Sequence, residues 1–225
     1  MARFTRLEVL STMVRLGVIP VFYNPDLEIN KKVVKACFDG GLPLAEFTNR
    51  GDHAMEVFSE LESFCRRELP EVILGVGSVI DPYTAAMYIA TGANFVVGPL
   101  LNPEVARICN RRKVPYSPGC GSASEISEAE ELGCEIVKVF PGGQVGGPAF
   151  VKAVLGPCPW VSLMPTGGVD CTEESLKAWF EAGVACVGIG SKLIRKELLQ
   201  AGDFDGIRDN VKKTLEIVKK VRPKK

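Results

Sequence analysis

Two charged side chains interrupt otherwise apolar stretches of this 225-residue chain. Lys138 sits in the middle of EIVKVFPGG, and Glu46 sits within PLAEFT. Burying an isolated charge is expensive, so each must be paired, exposed at one end or neutral. Strand alternation groups Ile136 and Phe140 with Lys138 on one face, and Leu44 and Thr48 with Glu46 on another. If both faces point into a common interior, an amine and a carboxylate meet in a partly desolvated space. The lysine there becomes a nucleophile toward a carbonyl and the glutamate a general acid/base. A buried pair that merely tolerates its own cost is the structural alternative. Arg50, four residues beyond Glu46, carries a planar fork that can grip a carboxylate at two points.

Glycine is the second chemical signal. Thr166, Gly167 and Gly168 close the apolar run VSLMPTGG, while Gly190 and Ser191 close ACVGIGS. Glycine lets backbone N–H groups approach an anion closely, and a following helix N-terminus favours negative charge. One such turn reads equally well as a tight connection; two on neighbouring strands point to a phosphate. Neither GVGSVI nor GIGSKL completes G-x-G-x-x-G, and no G-x-x-x-x-G-K-[ST] occurs, so a Rossmann dinucleotide site and a P-loop are unsupported.

These residues need elements to hold them. Eight short apolar runs (VIPVFY, PLAEFT, VILGVGS, NFVVGP, VPYSPG, EIVKVFP, VSLMPTG and ACVGIGS) alternate with amphipathic stretches such as LEINKKVVKACFDGG and TEESLKAWFEAG. Alternation of this kind signals βαβ units and a parallel sheet. Eight units in one chain predict an α/β fold, a (β/α)8 barrel, with an extra N-terminal helix near Phe4–Leu16; a doubly wound open sheet shares the alternation. No linker or composition break divides residues 1–225, which predicts a single domain. In a barrel the active residues stand at the C-terminal strand ends. Glu46, Thr48 and Arg50 fall there on the second strand and Ser78 on the third, as do Lys138 on the sixth and the glycine ends of the last two.

Composition excludes other classes. Lys+Arg and Asp+Glu both number 27, so no surplus of positive charge is available for nucleic acid or anionic lipid. The basic tail VKKVRPKK reads as a solvated chain end. No run approaches the length of a membrane span, and the N-terminal stretch lacks an apolar core with a cleavage site, so a cytoplasmic protein is expected. The eight cysteines contain no Cys-x-x-Cys pair and His53 is the lone histidine, so no metal site and no His-based triad are expected.

Taken in order, GVIPVF, AEFTNR, GVGSV, GANFVVGP, PYSPGCGSASE, VKVFPGG, MPTGGV and VGIGS resemble the 2-keto-3-deoxy-6-phosphogluconate / 4-hydroxy-2-oxoglutarate aldolase family over roughly Leu7 to Val218. The resemblance implies a class I aldolase with Lys138 as the Schiff-base lysine and Glu46 as the proton shuttle. It further implies that Arg50 and Ser78 hold the pyruvate-side carboxylate and that Pro99 lines the pocket. Thr166 is matched to the substrate's hydroxyl region, and Gly167, Gly168, Gly190 and Ser191 to a phosphate cradle. It also implies a homotrimer that needs no metal or cofactor and acts on a small keto acid. Ser78 stands where threonine is usual, and FPGGQVGG lacks an acidic residue that some members carry there. These differences bear on the aldehyde half of the substrate, with 2-keto-3-deoxy-6-phosphogalactonate as the alternative. Phosphosugar isomerisation with Glu46 as base, or phosphometabolite binding without catalysis, are the competing readings.

Overall fold

Thr5 starts the first element. Its side chain accepts from the Glu8 N–H while the Glu8 carboxylate accepts from the Thr5 N–H, a capping box that opens α1 (Arg6–Leu16). The computed structural model describes residues 2–223, so the last two lysines of the basic tail lie outside the described residues. Helix α1 buries Val9 and Met13 among Ile19, Leu44, Ile73, Ile136, Met164 and Cys186, side chains in strands or immediately before them along the whole chain. It therefore packs against a cluster to which widely separated parts of the chain contribute.

Nine strands follow among the described residues. They are β1 (Val18–Phe22), β2 (Leu44–Thr48), β3 (Ile73–Gly77), β4 (Val96–Val97), β5 (Tyr116–Ser117), β6 (Gly119–Cys120), β7 (Val137–Val139), β8 (Leu163–Pro165) and β9 (Val187–Ile189). Between them run α2 (Leu27–Asp39), α3 (Ala54–Glu68), α4 (Pro82–Thr91), α5 (Pro103–Arg112), α6 (Ala123–Glu131), α7 (Gly147–Leu155) and α8 (Glu173–Glu181). Helices α9 (Lys196–Ala201) and α10 (Phe204–Val221) follow β9. Every strand pairing is parallel, and each strand is buried along its length, as expected where helices cover the outer face.

The sheet curls. One ladder runs β5-β4-β3-β2-β1-β9 and a second runs β6-β7-β8. A bridge between Thr166 and Gly188 carries β8 onto β9. The expected fifth strand, VPYSPG, differs from expectation because Pro118 divides it into β5 and β6. Proline has no N–H to give to a ladder. The carbonyls on either side of that break face opposite neighbours: Ser117 O accepts from Gly98 N at 3.1 Å, whereas Pro118 O accepts from Lys138 N at 3.0 Å. The first helix starts at Arg6, after the Thr5 cap, rather than at Phe4.

Strand alternation holds where the chemistry needs it. Ile136 belongs to the interior cluster with α1, while Val137 and Val139 belong to the outer core against the helices. Lys138 therefore shares the interior face with Ile136.

Candidate active site

Lys138 and Glu46 are 5% and 1% exposed, so both charges have lost most of their water. Among the described residues no ion pair within 4.0 Å joins them. The Glu46 carboxylate lies against Gly77, where no Cβ obstructs it, and its Oε2 atom is buried with no hydrogen-bond partner. The Lys138 Nζ sits 4.7 Å from the centroid of the Phe140 ring. Burial lowers the Lys138 pKa from its ordinary value; Glu46 opposes that shift and the positive Arg50 adds to it. Burial raises the Glu46 pKa, with Lys138 and Arg50 pulling it back. Both shifts favour neutral forms. A neutral amine is a nucleophile, and a carboxyl whose pKa is raised toward the working pH can both give and take protons.

Arg50 stands two residues past the end of β2. Its Nε donates to Ser78 Oγ at 3.2 Å, joining the ends of β2 and β3. Ser78 has φ 62°, a left-handed conformation unusual for a residue with a Cβ, and such strain gathers at functional sites. The chain just before Arg50 is anchored twice: Asn49 N donates to Gly77 O at 2.8 Å, and the buried Tyr88 hydroxyl donates to Asn49 Oδ1 at 2.9 Å.

The two glycine ends meet a third. Gly142 N donates to Thr166 O at 2.9 Å and Gly143 N to Gly167 O at 3.0 Å, so the loops after β7 and β8 are stitched together by backbone alone. Gly167 and Gly168 take φ of 84° and 79°, which a side chain would strain. A Cβ on Gly168 would also lie 2.7 Å from the Gly143 Cα. Among the described residues, none of the N–H groups of Gly167, Gly168, Gly190 and Ser191 has an acceptor. The Thr166 hydroxyl is buried without a partner, packed on Gly188. Unused backbone donors around a concavity make a site that fits an oxyanion.

A cavity of about 720 Å³ opens here, and Arg50, Thr166, Gly167, Gly168, Gly190 and Ser191 all stand in its wall. Lys138 is not in the wall; its Nζ packs against the Phe140 ring, which is. Glu46, Ser78 and Pro99 are not in the wall; the Pro99 backbone packs against Gly119 instead. Sequence reasoning missed Tyr23, Asp170, Lys192 and Lys196 as lining residues, and Gly77 as the surface on which Glu46 rests. Tyr23, Asp170 and Lys192 occupy ordinary loop positions and Lys196 opens α9, none of them within a motif. Gly77 stood in the quoted GVGS and could have been questioned as a close-approach glycine. Among the described residues no group of three or more His, Cys, Asp or Glu could hold a metal, and no helix is long and apolar enough to cross a membrane.

A protein-family model for KDPG and KHG aldolase matches residues 9–210. The chain belongs to that family. Its members are aldolases, which are carbon–carbon lyases. The 2-dehydro-3-deoxy-phosphogluconate aldolase of Treponema pallidum is 33% identical to this KDPG/KHG aldolase family member, over 93% of this chain and 97% of that one. The KHG/KDPG aldolase of Escherichia coli K12 is 30% identical over 88% and 91%. The KDPG aldolase of Legionella pneumophila, solved with pyruvate captured at low pH as a covalent carbinolamine intermediate, superposes with a TM-score of 0.81 at 29% identity. That alignment covers 90% of this chain and 96% of the other.

Proposed function

We propose that this protein is a class I aldolase that cleaves 2-keto-3-deoxy-6-phosphogluconate to pyruvate and glyceraldehyde 3-phosphate, with 4-hydroxy-2-oxoglutarate as a second substrate. The observation that carries the reading is the desolvated Lys138 amine on the interior face of β7, within the electrostatic reach of the buried Glu46. In this reading the Lys138 Nζ attacks the C2 carbonyl, and loss of water from the carbinolamine leaves a protonated imine. Glu46, as carboxylate, takes the proton of the C4 hydroxyl. The C3–C4 bond electrons then flow into the imine, releasing the aldehyde and leaving a pyruvate enamine. Glu46 returns its proton to C3, and hydrolysis frees pyruvate and the amine. The imine is itself the electron sink, so the cycle calls for no cofactor or metal. A carbinolamine caught in the Legionella relative fits the first step.

The remaining assignments are part of the same proposal. Arg50 and Ser78 hold the substrate carboxylate, Pro99 bounds the keto-acid end, and Thr166 meets the hydroxyl region. Gly167, Gly168, Gly190 and Ser191 hold the phosphate through donors that have no other acceptor. We read the two ladders and their bridge as one (β/α)8 barrel, a single domain with α1 as an added N-terminal helix. The protein is proposed to work in the cytoplasm as a homotrimer. Exposed Tyr83 and Met87, one turn apart on α4, with exposed Ile80 just before that helix, supply apolar surface for such contacts. Light scattering that gave a monomeric mass would remove the trimer.

Borohydride reduction in the presence of pyruvate tests the chemistry. One pyruvate-derived adduct per chain is expected, on the peptide containing Lys138. An adduct on Lys152 or Lys192, or none at all, would overturn the assignment, and the isomerase or binding-protein readings would replace it.

A further inference from the structure

One ion pair stands in the cavity wall outside the machinery assigned above. Lys192 Nζ lies 3.2 Å from Asp170 Oδ2, joining the loop after β9 to the loop after β8. Both residues line the same cavity as Gly167, Gly168, Gly190 and Ser191. Their backbones are pinned. Asn210 Nδ2 donates to the carbonyls of Lys192 at 3.2 Å and Leu193 at 2.7 Å, while Leu193 N and Ile194 N donate to Gly190 O at 2.9 and 3.0 Å. Asp170 N donates to Ser175 Oγ at 3.0 Å.

The side chains, by contrast, are free to rearrange. They are 63% and 40% exposed, and an exposed pair of this kind adds little to stability. Lys192 is therefore a flexible cation on a rigid base, held by a partner that it can leave cheaply. Beside it sits a cradle of neutral backbone donors, which lacks a charge of its own to match a phosphate monoester dianion.

We propose that Lys192 is the cationic contact for the phosphate end of the substrate and that Asp170 is its resting partner. The pair then sets how strongly the enzyme prefers phosphorylated over unphosphorylated keto acids. This inference rests on the proposed phosphate cradle. Asp170 is a positioning residue: it holds Lys192 over the cradle when empty and competes with the phosphate for it when filled.

The probes are inorganic phosphate, as an inhibitor of 4-hydroxy-2-oxoglutarate cleavage, and the ratio of kcat/KM for the phosphorylated and unphosphorylated substrates. Lys192→Gln is expected to raise the phosphate Ki roughly three- to tenfold and to lower the ratio similarly, as suits one solvent-screened charge contact. Lys192→Arg should restore most of both. Asp170→Asn should move both readouts in the opposite direction, and this gain should shrink in the Lys192→Gln background because the partner is gone. Raising the salt concentration should compress these differences.

If wild type prefers the phosphorylated substrate and is inhibited by phosphate, yet Lys192→Gln changes neither, the Lys192 assignment fails while the cradle stands. If wild type shows neither property, the cradle fails and the inference falls with it. An Asp170→Asn effect in the same direction as Lys192→Gln would show a structural role for the pair and overturn the proposal. Thermal melts of each variant separate these outcomes from misfolding.

Discussion

Gly77→Ala adds one methyl group to a residue that has no chemistry of its own. A Cβ there would lie 2.6 Å from Glu46 Cδ and 3.0 Å from Cγ, and nearer still to Oε1. The backbone of β3 cannot easily yield, because it is laddered to β2 from Leu44 to Thr48 and Gly77 O accepts from Asn49 N. The carboxylate oxygen must retreat by at least about 1.5 Å to reach ordinary contact, and a displacement of even about 1 Å can cost a rate of about 10²-fold. Overpacking should also cost about 1–3 kcal/mol of stability, or a Tm fall of about 2–12 °C for a chain of this size.

Pyruvate release gives kcat, and borohydride trapping reports whether Lys138 still forms its imine. The expected result is a kcat lowered by about two orders of magnitude with trapping retained. Gly75→Ala is the control. On the same strand, its Cβ would meet the Phe95 ring rather than Glu46, so stability should fall while turnover largely persists. If folded Gly77→Ala turned over within threefold of wild type, the position of Glu46 would not matter to the reaction, and its role as proton shuttle would be refuted.

Other outcomes follow from the same geometry. Glu46→Gln should lower kcat by about 10²–10⁴-fold while imine trapping persists; normal turnover would remove it from the mechanism. Because burial holds the Lys138 amine below its usual value, half-maximal reaction with an amine reagent should occur below pH 10.5. Arg50→Gln removes a cation that disfavours the ammonium form, so the half-point should rise; a fall would contradict the sign of the field. Ser191→Ala should weaken binding of the phosphorylated substrate by roughly 1.5–3 kcal/mol, the worth of one hydrogen bond to a charged oxygen. An equal loss with 4-hydroxy-2-oxoglutarate would move the phosphate elsewhere.

What the sequence determined by itself was local. Period-two alternation put Lys138 with Ile136 on one face, and that face is the interior in the folded chain. Apolar runs broken by helical stretches announced a parallel α/β architecture, and glycine at the ends of β8 and β9 marked where backbone could approach an anion. Each of these follows from a few adjacent residues, whose steric and hydrophobic preferences act before any long-range contact forms. The spatial relations belong to the tertiary structure. Only the fold decided that Glu46 rests on Gly77, with no direct ion pair to Lys138. It likewise decided that Pro118 hands one ladder to another and that Asp170 reaches Lys192 across two loops. Strand register and loop closure set those distances, and no short stretch of chain encodes them. Burial is also collective: the pKa of Lys138 shifts because surrounding elements remove its water, a condition that no single strand can impose.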